Sequence, residues 1–441
     1  MDRKTFVKNA TLLGTATAVL PKFSFAQVKG SDKLKIAIVG CGSRGIFDTT
    51  MMIKADKNIE IIAVADLFEE NLTRFENAIK QEADKIESGF FDKLWKVGDR
   101  RFIGLDAIDK IVQTDADIVA LMTVPVFRPY HIEKCLKAGK HVFAEKPIAI
   151  DAVGLRKIYK ELIPLADSKQ LKVLCGTQKR YQTSIQEAIN RLRDGQIGDV
   201  VSCLFMRNIG RYLTNSSSYT NEPWALQRLA KLSPDVAEYQ LMNWLCRYWV
   251  SGDQFVEQFV HNLDLAMWAI GGELPYEVVG FSGQMPTYAN VGNNCSHAFA
   301  NFEFKSGITL SAGCSQEANT SRYSPFKVIG TKGILEMSFQ GQRITGEKPW
   351  SIGAPRRAAT LCEHEVFYDA IRNGKKFNKL KECADSCYVA IAGRESAYTG
   401  KRMKCAWVLE RSQREYMPKN LTMDMVLPKM PTPSPATYEL I

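Results

Sequence analysis

The run Lys35-Ile36-Ala37-Ile38-Val39, followed at once by Gly40-Cys41-Gly42-Ser43-Arg44-Gly45, constrains the fold more than any other stretch. An apolar, β-branched-rich run closed by glycine reads as a strand buried on both faces, and so as part of a parallel sheet covered by helices. Gly40 permits a tight turn, Gly42 lets a pyrophosphate approach the backbone, and Gly45 lets the next helix pack close to the strand. The N–H groups at the start of that helix, from Ser43 and Arg44 onward, then face the phosphates. A second apolar run, Ile59 to Ala65, ends in Asp66, which lies 21 residues beyond Gly45. A carboxylate there accepts hydrogen bonds from both ribose hydroxyls and repels a 2′-phosphate. NAD is therefore the expected cofactor, with NADP disfavoured and Arg44 close enough to soften that preference.

The alternation continues along the chain. Asp117–Thr123 and His141–Ala144 read as strands, with a helix through His131–Ala138 between them; a helix near Leu155–Asp167 and a strand Leu171–Cys175 follow. Such alternation means a parallel sheet. Ligands then sit beyond the carboxyl ends of its strands, where Gly40, Asp66, Thr123, Glu145 and Lys146 all fall. At 441 residues the chain exceeds one ordinary core, so two folded units are expected.

Three further stretches join the glycine turn and Asp66: Ala144-Glu145-Lys146-Pro147, Gly176-Thr177-Gln178-Lys179-Arg180-Tyr181, and Gly252-Asp253 with Glu257-Gln258-Phe259-Val260-His261-Asn262-Leu263-Asp264. Together they make the chain, from about Leu34 to Lys404, resemble the glucose–fructose oxidoreductase / inositol dehydrogenase / rhizopine catabolism (Gfo/Idh/MocA) family. The nearest likeness is to the exported dehydrogenases of polysaccharide-degrading bacteria. The resemblance implies an α/β chain, with an N-terminal Rossmann doubly wound parallel sheet and a C-terminal α+β domain built on an open, mostly antiparallel sheet. The open face of that sheet is expected to serve homo-oligomer contacts. On this reading 33–176 is the NAD-binding domain, 177–405 the substrate-binding and oligomerisation domain, and 406–441 a tail, Pro-rich and extended after Met430. Val200–Asn208, His297–Phe304 and Thr309–Cys314 alternate as strands of such a sheet should. Helical segments at Glu363–Arg372 and Cys387–Tyr398 are expected to close the chain back on the first domain. The chain departs from the family at Val124-Pro125-Val126 after Thr123, and at Glu257, where an Asp is usual.

The family gives the Lys of the E-K-P block a direct part in the chemistry, which places Lys146 at the reacting oxygen of a sugar hydroxyl. It also implies a cis peptide before Pro147. His261 suits a general base, because its ordinary pKa of about 6.5 lies near working pH. Glu257 and His261 are spaced i, i+4, and Asp264 follows three residues after His261. One helix face is then expected to carry all three, with Glu257 orienting the imidazole and favouring its protonated form. Lys179, Arg180, Tyr181 and Asp264 are the candidate substrate contacts. Gly40, Gly42, Ser43, Arg44, Gly45, Asp66, Thr123, Glu145 and Lys146 are the candidate cofactor contacts. Among Tyr212, Tyr219, Trp224, Tyr239, Trp244, Tyr248 and Trp249, one or two are expected to lie against a sugar ring.

Residues 1–26 read as an export signal: Arg3, Lys4 and Lys8, a short apolar run, then the small-x-small site Ser24-Phe25-Ala26. Arg3-Lys4-Thr5-Phe6 resembles a twin-arginine signal with Lys for the second Arg, so export of the folded protein to the periplasm is expected. An ordinary secretion signal is the alternative. The 11 cysteines, an odd number with no C-x-x-C pair, read as reduced core thiols, which suits folding in a reducing compartment before export. The 5 histidines form no metal motif with them. The net charge of +10 is spread without a basic run, so neither nucleic acid nor a membrane span is expected. Three functions fit: an NAD-dependent oxidoreductase acting on a sugar or glycoside hydroxyl, for instance at C3; a redox-neutral glycosidase that oxidises transiently and eliminates; or a non-catalytic sugar-binding protein.

Overall fold

The computed structural model describes residues 32–209, 222–288, 292–338 and 340–441. The expected export segment 1–26, Tyr212 and Tyr219 lie outside the described residues.

The first sheet holds β1 (Leu34–Val39), β2 (Ile59–Asp66), β3 (Arg101–Ile103), β4 (Ile118–Leu121), β5 (His141–Ala144) and β6 (Val173–Cys175). Their order is β3-β2-β1-β4-β5-β6, and every pairing is parallel. The order of travel reverses between β1 and β4, which opens a crevice at their carboxyl ends. Every residue of β4 and β6 is buried, as strands with helices on both faces require. Helix α1 (Ser43–Ala55) follows the glycine turn directly.

The second sheet has nine strands: β7 (Val200–Asn208), β8 (Glu277–Gly283), β9 (His297–Glu303), β10 (Thr309–Ser315), β11 (Phe326–Gly330), β12 (Gly333–Ser338), β13 (Gly341–Gly346), β14 (Trp350–Gly353) and β15 (Met403–Lys404). They run β14-β13-β12-β11-β7-β10-β9-β8-β15. Only β7 and β10 pair in parallel. Ala298, Ala300 and Phe302 of β9 and Leu310, Ala312 and Cys314 of β10 are buried on one face. Val279 and Phe281 of β8 are exposed, at 41% and 61%. The inner face is covered by α2 (Val260–Ile270), while the other lies open.

Two long helices close the chain. Helix α3 (Ala359–Arg372) leaves the second sheet and packs on α1. Its Arg372 holds Asp56 Oδ2 at 2.8 and 2.9 Å. Helix α4 (Leu380–Thr399) lies between the units, against β8, β9 and α2, and its fully buried Arg394 donates to Ile150 O at 2.7 Å. Past Trp407–Glu410 the chain has no regular structure, in keeping with its prolines, yet it is tied down. Tyr416 N donates to Asp151 Oδ2 at 2.8 Å, and buried Tyr438 bonds to Glu395 Oε1 at 2.9 Å. All eleven cysteines are free thiols, ten of them buried. No described helix is long and apolar enough to cross a membrane.

Candidate active site

A cavity of about 480 Å³ lies at the carboxyl ends of β1, β2, β4 and β5 and extends to the segment before α2. Gly40, Gly42, Ser43, Arg44, Gly45, Asp66, Thr123, Glu145, Lys146, Glu257 and His261 all line it. Gly40 has φ +96°, and a Cβ there would lie 2.6 Å from the carbonyl of Met122. A Cβ on Gly45 would lie 2.1 Å from Gly40 O. Both positions are closed to any larger residue. No side chain caps α1 at Gly42, so its first N–H groups are free to hold an anion.

Asp66 closes β2. Its Oδ2 accepts from Cys41 N at 2.7 Å, and its Oδ1 accepts from Phe68 N at 3.1 Å and Asn71 Nδ2 at 2.8 Å. Burial pushes its pKa up against those three bonds. The carboxylate therefore ties the glycine turn to the strand end beside it. Thr123 lines the cavity, and its buried hydroxyl has no hydrogen-bond partner among the described residues. The uncapped helix, the glycine cradle, the strand-end carboxylate and this orphaned hydroxyl fit a dinucleotide.

Glu145 accepts from Arg44 Nη2 at 2.5 Å and from Lys146 N at 2.9 Å. A Cβ at position 176 would lie 2.5 Å from Glu145 Oε1, so Gly176 leaves room for that carboxylate. Arg44 also holds Asp48 at 2.9 Å. Its guanidinium is thus already paired with two carboxylates, Glu145 and Asp48. Buried Arg128, which carried no motif in the sequence, donates to Thr123 O at 2.7 Å and Pro147 O at 2.9 Å and pins two cavity loops together.

Lys146 projects from the end of β5 and precedes a cis Lys146–Pro147 bond. Its Nζ donates to Glu257 Oε1 at 2.8 Å and to Glu257 O at 2.6 Å, which leaves one N–H for a ligand. Burial, the largest single influence, raises the Glu257 carboxyl, but the Lys146 ammonium together with Arg128 and Arg207 outweighs it and the net shift is downward.

The sequence reading of one helix face is corrected here. Asp253–Glu257 ends before α2 begins, and a turn at 258–259 separates them. Glu257 therefore bonds to Lys146 and not to His261. The expected bias toward a protonated imidazole is also reversed. Burial first, then the positive charges of Lys146, Lys179, Arg44 and Arg207, hold the His261 pKa well below its ordinary value. Asp264 does not face the cavity with His261. It is 1% exposed, accepts from Arg180 Nε at 3.0 Å and from Ser386 Oγ at 2.8 Å.

None of Lys179, Arg180, Tyr181 and Asp264 lines the cavity. Arg180 and Asp264 pair with each other, and Tyr181 is buried in the apolar cluster that holds Phe367. Lys179 Nζ donates to Asn262 Oδ1 at 3.0 Å, next to His261 on α2. Of the described aromatics expected near a sugar, only Trp244 lines the cavity; Tyr248 and Trp249 are core. Phe127 and His131, stacked at 5.5 Å, also line it. Phe127 closes the stretch where the chain departs from the family pattern and His131 lies on the helix after it, so no motif marked them. Among the described residues no group of His, Cys, Asp and Glu could hold a metal ion.

Two family models match the chain. The one described as "Oxidoreductase family, NAD-binding Rossmann fold" covers residues 34–177, and the "GFO/IDH/MocA C-terminal domain" covers 185–336. Inositol 2-dehydrogenase of Rhodococcus jostii (strain RHA1) is 27% identical over 174 residues, 40% of this chain and 42% of that protein. Glycosyl hydrolase family 109 protein 2 of Shewanella sp. (strain ANA-3) is 24% identical over 217 residues, 45% of this chain and 44% of that protein. The matched stretches thus span less than half the length of these two relatives. The solved structure of scyllo-inositol dehydrogenase from Lactobacillus casei, with bound NAD(H) and scyllo-inositol, shares the fold with a TM-score of 0.61 at 19% identity, covering 85% of this chain and all of that one.

Proposed function

The chain belongs to the GFO/IDH/MocA oxidoreductase family, and on that footing we propose that it is an NAD-dependent oxidoreductase acting on a hydroxyl of a sugar or glycoside. The observation that carries this reading is the meeting of Lys146 and His261 on the wall of the same cavity as the glycine turn and Asp66. Gly40, Gly42, Gly45, Asp66 and Thr123 would hold NAD, which supplies the acceptor for a hydride leaving a carbinol carbon. Neutral His261 takes the hydroxyl proton. The free N–H of Lys146 points positive charge at the oxygen as it becomes negative. Glu257 holds Lys146 in place.

This division of labour has a pH signature. A base whose pKa is depressed stays deprotonated as pH falls past the ordinary imidazole value. At saturating substrate, kcat is expected to hold its plateau through pH ~6.5 and to fall only below it. An inflection at or above that pH would remove His261 from the role of base.

The likeness to a glycosyl hydrolase family 109 protein favours a second reading, in which oxidation is transient and the net reaction is glycoside cleavage. Oxidation next to a C–H, for instance at C3, acidifies it and permits elimination. Net formation of reduced nicotinamide separates the two, since the glycosidase leaves none. A sugar-binding protein without catalysis has no need of the Lys146–Glu257 pair beside His261.

The leader at 1–26 supports export with NAD already bound. A compartment without a free NAD pool demands tight retention, and bound cofactor also favours the folded state by about 4 kcal/mol at a thousandfold excess over Kd. Protein purified from the periplasm without added nucleotide is expected to release near-stoichiometric NAD or NADH on denaturation. Empty protein would argue for a cytoplasmic enzyme supplied from solution. The open face of the second sheet, with Val279 and Phe281, supports self-association through that face.

A further inference from the structure

The second unit walls the cavity with two stretches of chain. Glu257, Gln258 and His261 belong to one. Leu241, Trp244 and Leu245 belong to the other, 222–246, which lies between β7 and Asp253–Glu257 in the chain. This stretch carries two short helices, Pro223–Leu229 and Ala237–Met242, and it is fastened on both sides.

On the first unit it grips the residues that follow Asp66. Ala225 and Met242 are buried in one apolar cluster with Phe68, and Leu67 and Trp224 pack against that cluster. The Trp224 and Phe68 rings lie 6.0 Å apart. Arg74, on the helix Glu69–Ile86, stands 3.3 Å from Glu222 and donates to Ser43 Oγ in the glycine turn at 3.1 Å. Arg228 stands 3.6 Å from Glu70, pairs with Glu238 and lies 5.2 Å from the centroid of the Phe68 ring. On the other side the C-terminal tail holds the same stretch. Ala237 N donates to Met425 O at 2.8 Å, Glu238 N to Met423 O at 2.9 Å, and Leu427 N to Asp235 O at 2.8 Å.

In a dinucleotide fold the carboxylate closing the second strand takes the ribose of the adenosine half. Leu67, Leu105 and Ala107 line the cavity beside Asp66, and Leu67 is also part of the cluster that 222–246 covers. We propose that 222–246 is a clasp over the adenosine half of bound NAD, anchored by the tail, and that its opening sets the rate at which the cofactor leaves. The proposal rests on the NAD reading of the site and names the element that retains the cofactor. A ligand covered by a closed segment departs only when that segment lifts. The ion pairs are partly exposed and individually weak. The packing of Trp224, Ala225 and Met242 around Phe68 therefore carries most of the closure.

The test is an exchange measurement. Protein is loaded with NAD labelled in the adenine ring and diluted into a large excess of unlabelled NAD, and retained label is followed by rapid filtration. Trp224→Ala is expected to release label ~10-fold or more faster than the wild type, and Trp224→Phe to recover most of the slow rate. Arg228→Gln, which cuts the links to Glu70, Glu238 and the Phe68 ring together, is expected to quicken release by roughly 2- to 5-fold. A thermal midpoint of the NAD-free variants near that of the NAD-free wild type shows that they fold, and Arg228→Gln serves if Trp224→Ala does not. Release unchanged in the folded variants, or a wild type that takes up no labelled NAD, overturns the proposal. Sugar oxidation is read in parallel samples as reduced nicotinamide. Slow, clasp-dependent release with no sugar oxidised would retire the oxidoreductase reading and leave the clasp, and oxidation with release indifferent to the clasp would do the reverse.

Discussion

Lys146→Ala is expected to lose at least ~10²-fold in kcat while NAD still binds. The ammonium is held by two bonds to Glu257, one to its side chain and one to its backbone. It therefore has little freedom to leave the reacting oxygen. Removing it takes away the charge that stabilises the developing alkoxide. It also leaves the Glu257 carboxylate buried without its cation, and a proton then goes to Glu257 more readily. Some stability should be lost as well, about 1–3 kcal/mol for a buried partner left unpaired. The glycine turn, Asp66 and Thr123 are untouched, so cofactor affinity should change little. Lys146→Arg keeps the charge but not the geometry and should recover only a fraction of the rate. His261→Ala should fall as far as Lys146→Ala, and the double variant little further, since the two act on one proton transfer. Near-normal turnover in both single variants would remove the catalytic assignment.

Asp66→Ala is expected to weaken NAD binding by roughly 10- to 100-fold and to narrow the preference over NADP. The expectation has two parts because the carboxylate does two things. It offers its remaining lone pairs to the ribose, and it holds Cys41 N, Phe68 N and Asn71 Nδ2 in place. Asp66→Asn separates them. The amide keeps the shape and one oxygen acceptor, so part of the turn survives, but the negative charge that repels a 2′-phosphate is gone. If the Asp66→Asn variant kept full discrimination against NADP in equilibrium titration, the charge would not be the source of specificity.

The parts of the fold and site that could be read from the chain are those whose signal is local. Ile36–Val39 and Ile61–Ala65 are unbroken apolar runs because a parallel strand is covered on both faces, and each reads as a strand on that ground alone. The glycines at 40 and 45 mark backbone positions that no Cβ can occupy, so their spacing carries the turn by itself. Other features depend on contacts far apart in sequence. β3 has three residues and no periodicity to detect. The turn at 258–259 interrupts a spacing that looks helical, because Glu257 is needed at Lys146, 111 residues away. Asp264 reads as a site carboxylate until Arg180 and Ser386 are folded against it. Tyr438 sits in a Pro-rich tail with no pattern, yet it is buried against Glu395.

The central claim is that a sugar carbon gives its hydride to a nicotinamide held by Gly40–Gly45 and Asp66, with Lys146 and His261 handling the proton. Rapid mixing of NAD-loaded protein with a substrate it converts, followed by the absorbance of reduced nicotinamide, tests this most directly. The account predicts that reduced nicotinamide appears within the first turnover, more slowly when the reacting carbon carries deuterium, and not at all on that timescale in Lys146→Ala. This holds whether the reduced form accumulates, as in a dehydrogenase, or decays again, as in a redox-neutral glycosidase. Conversion of substrate with no reduced nicotinamide at any time would contradict it.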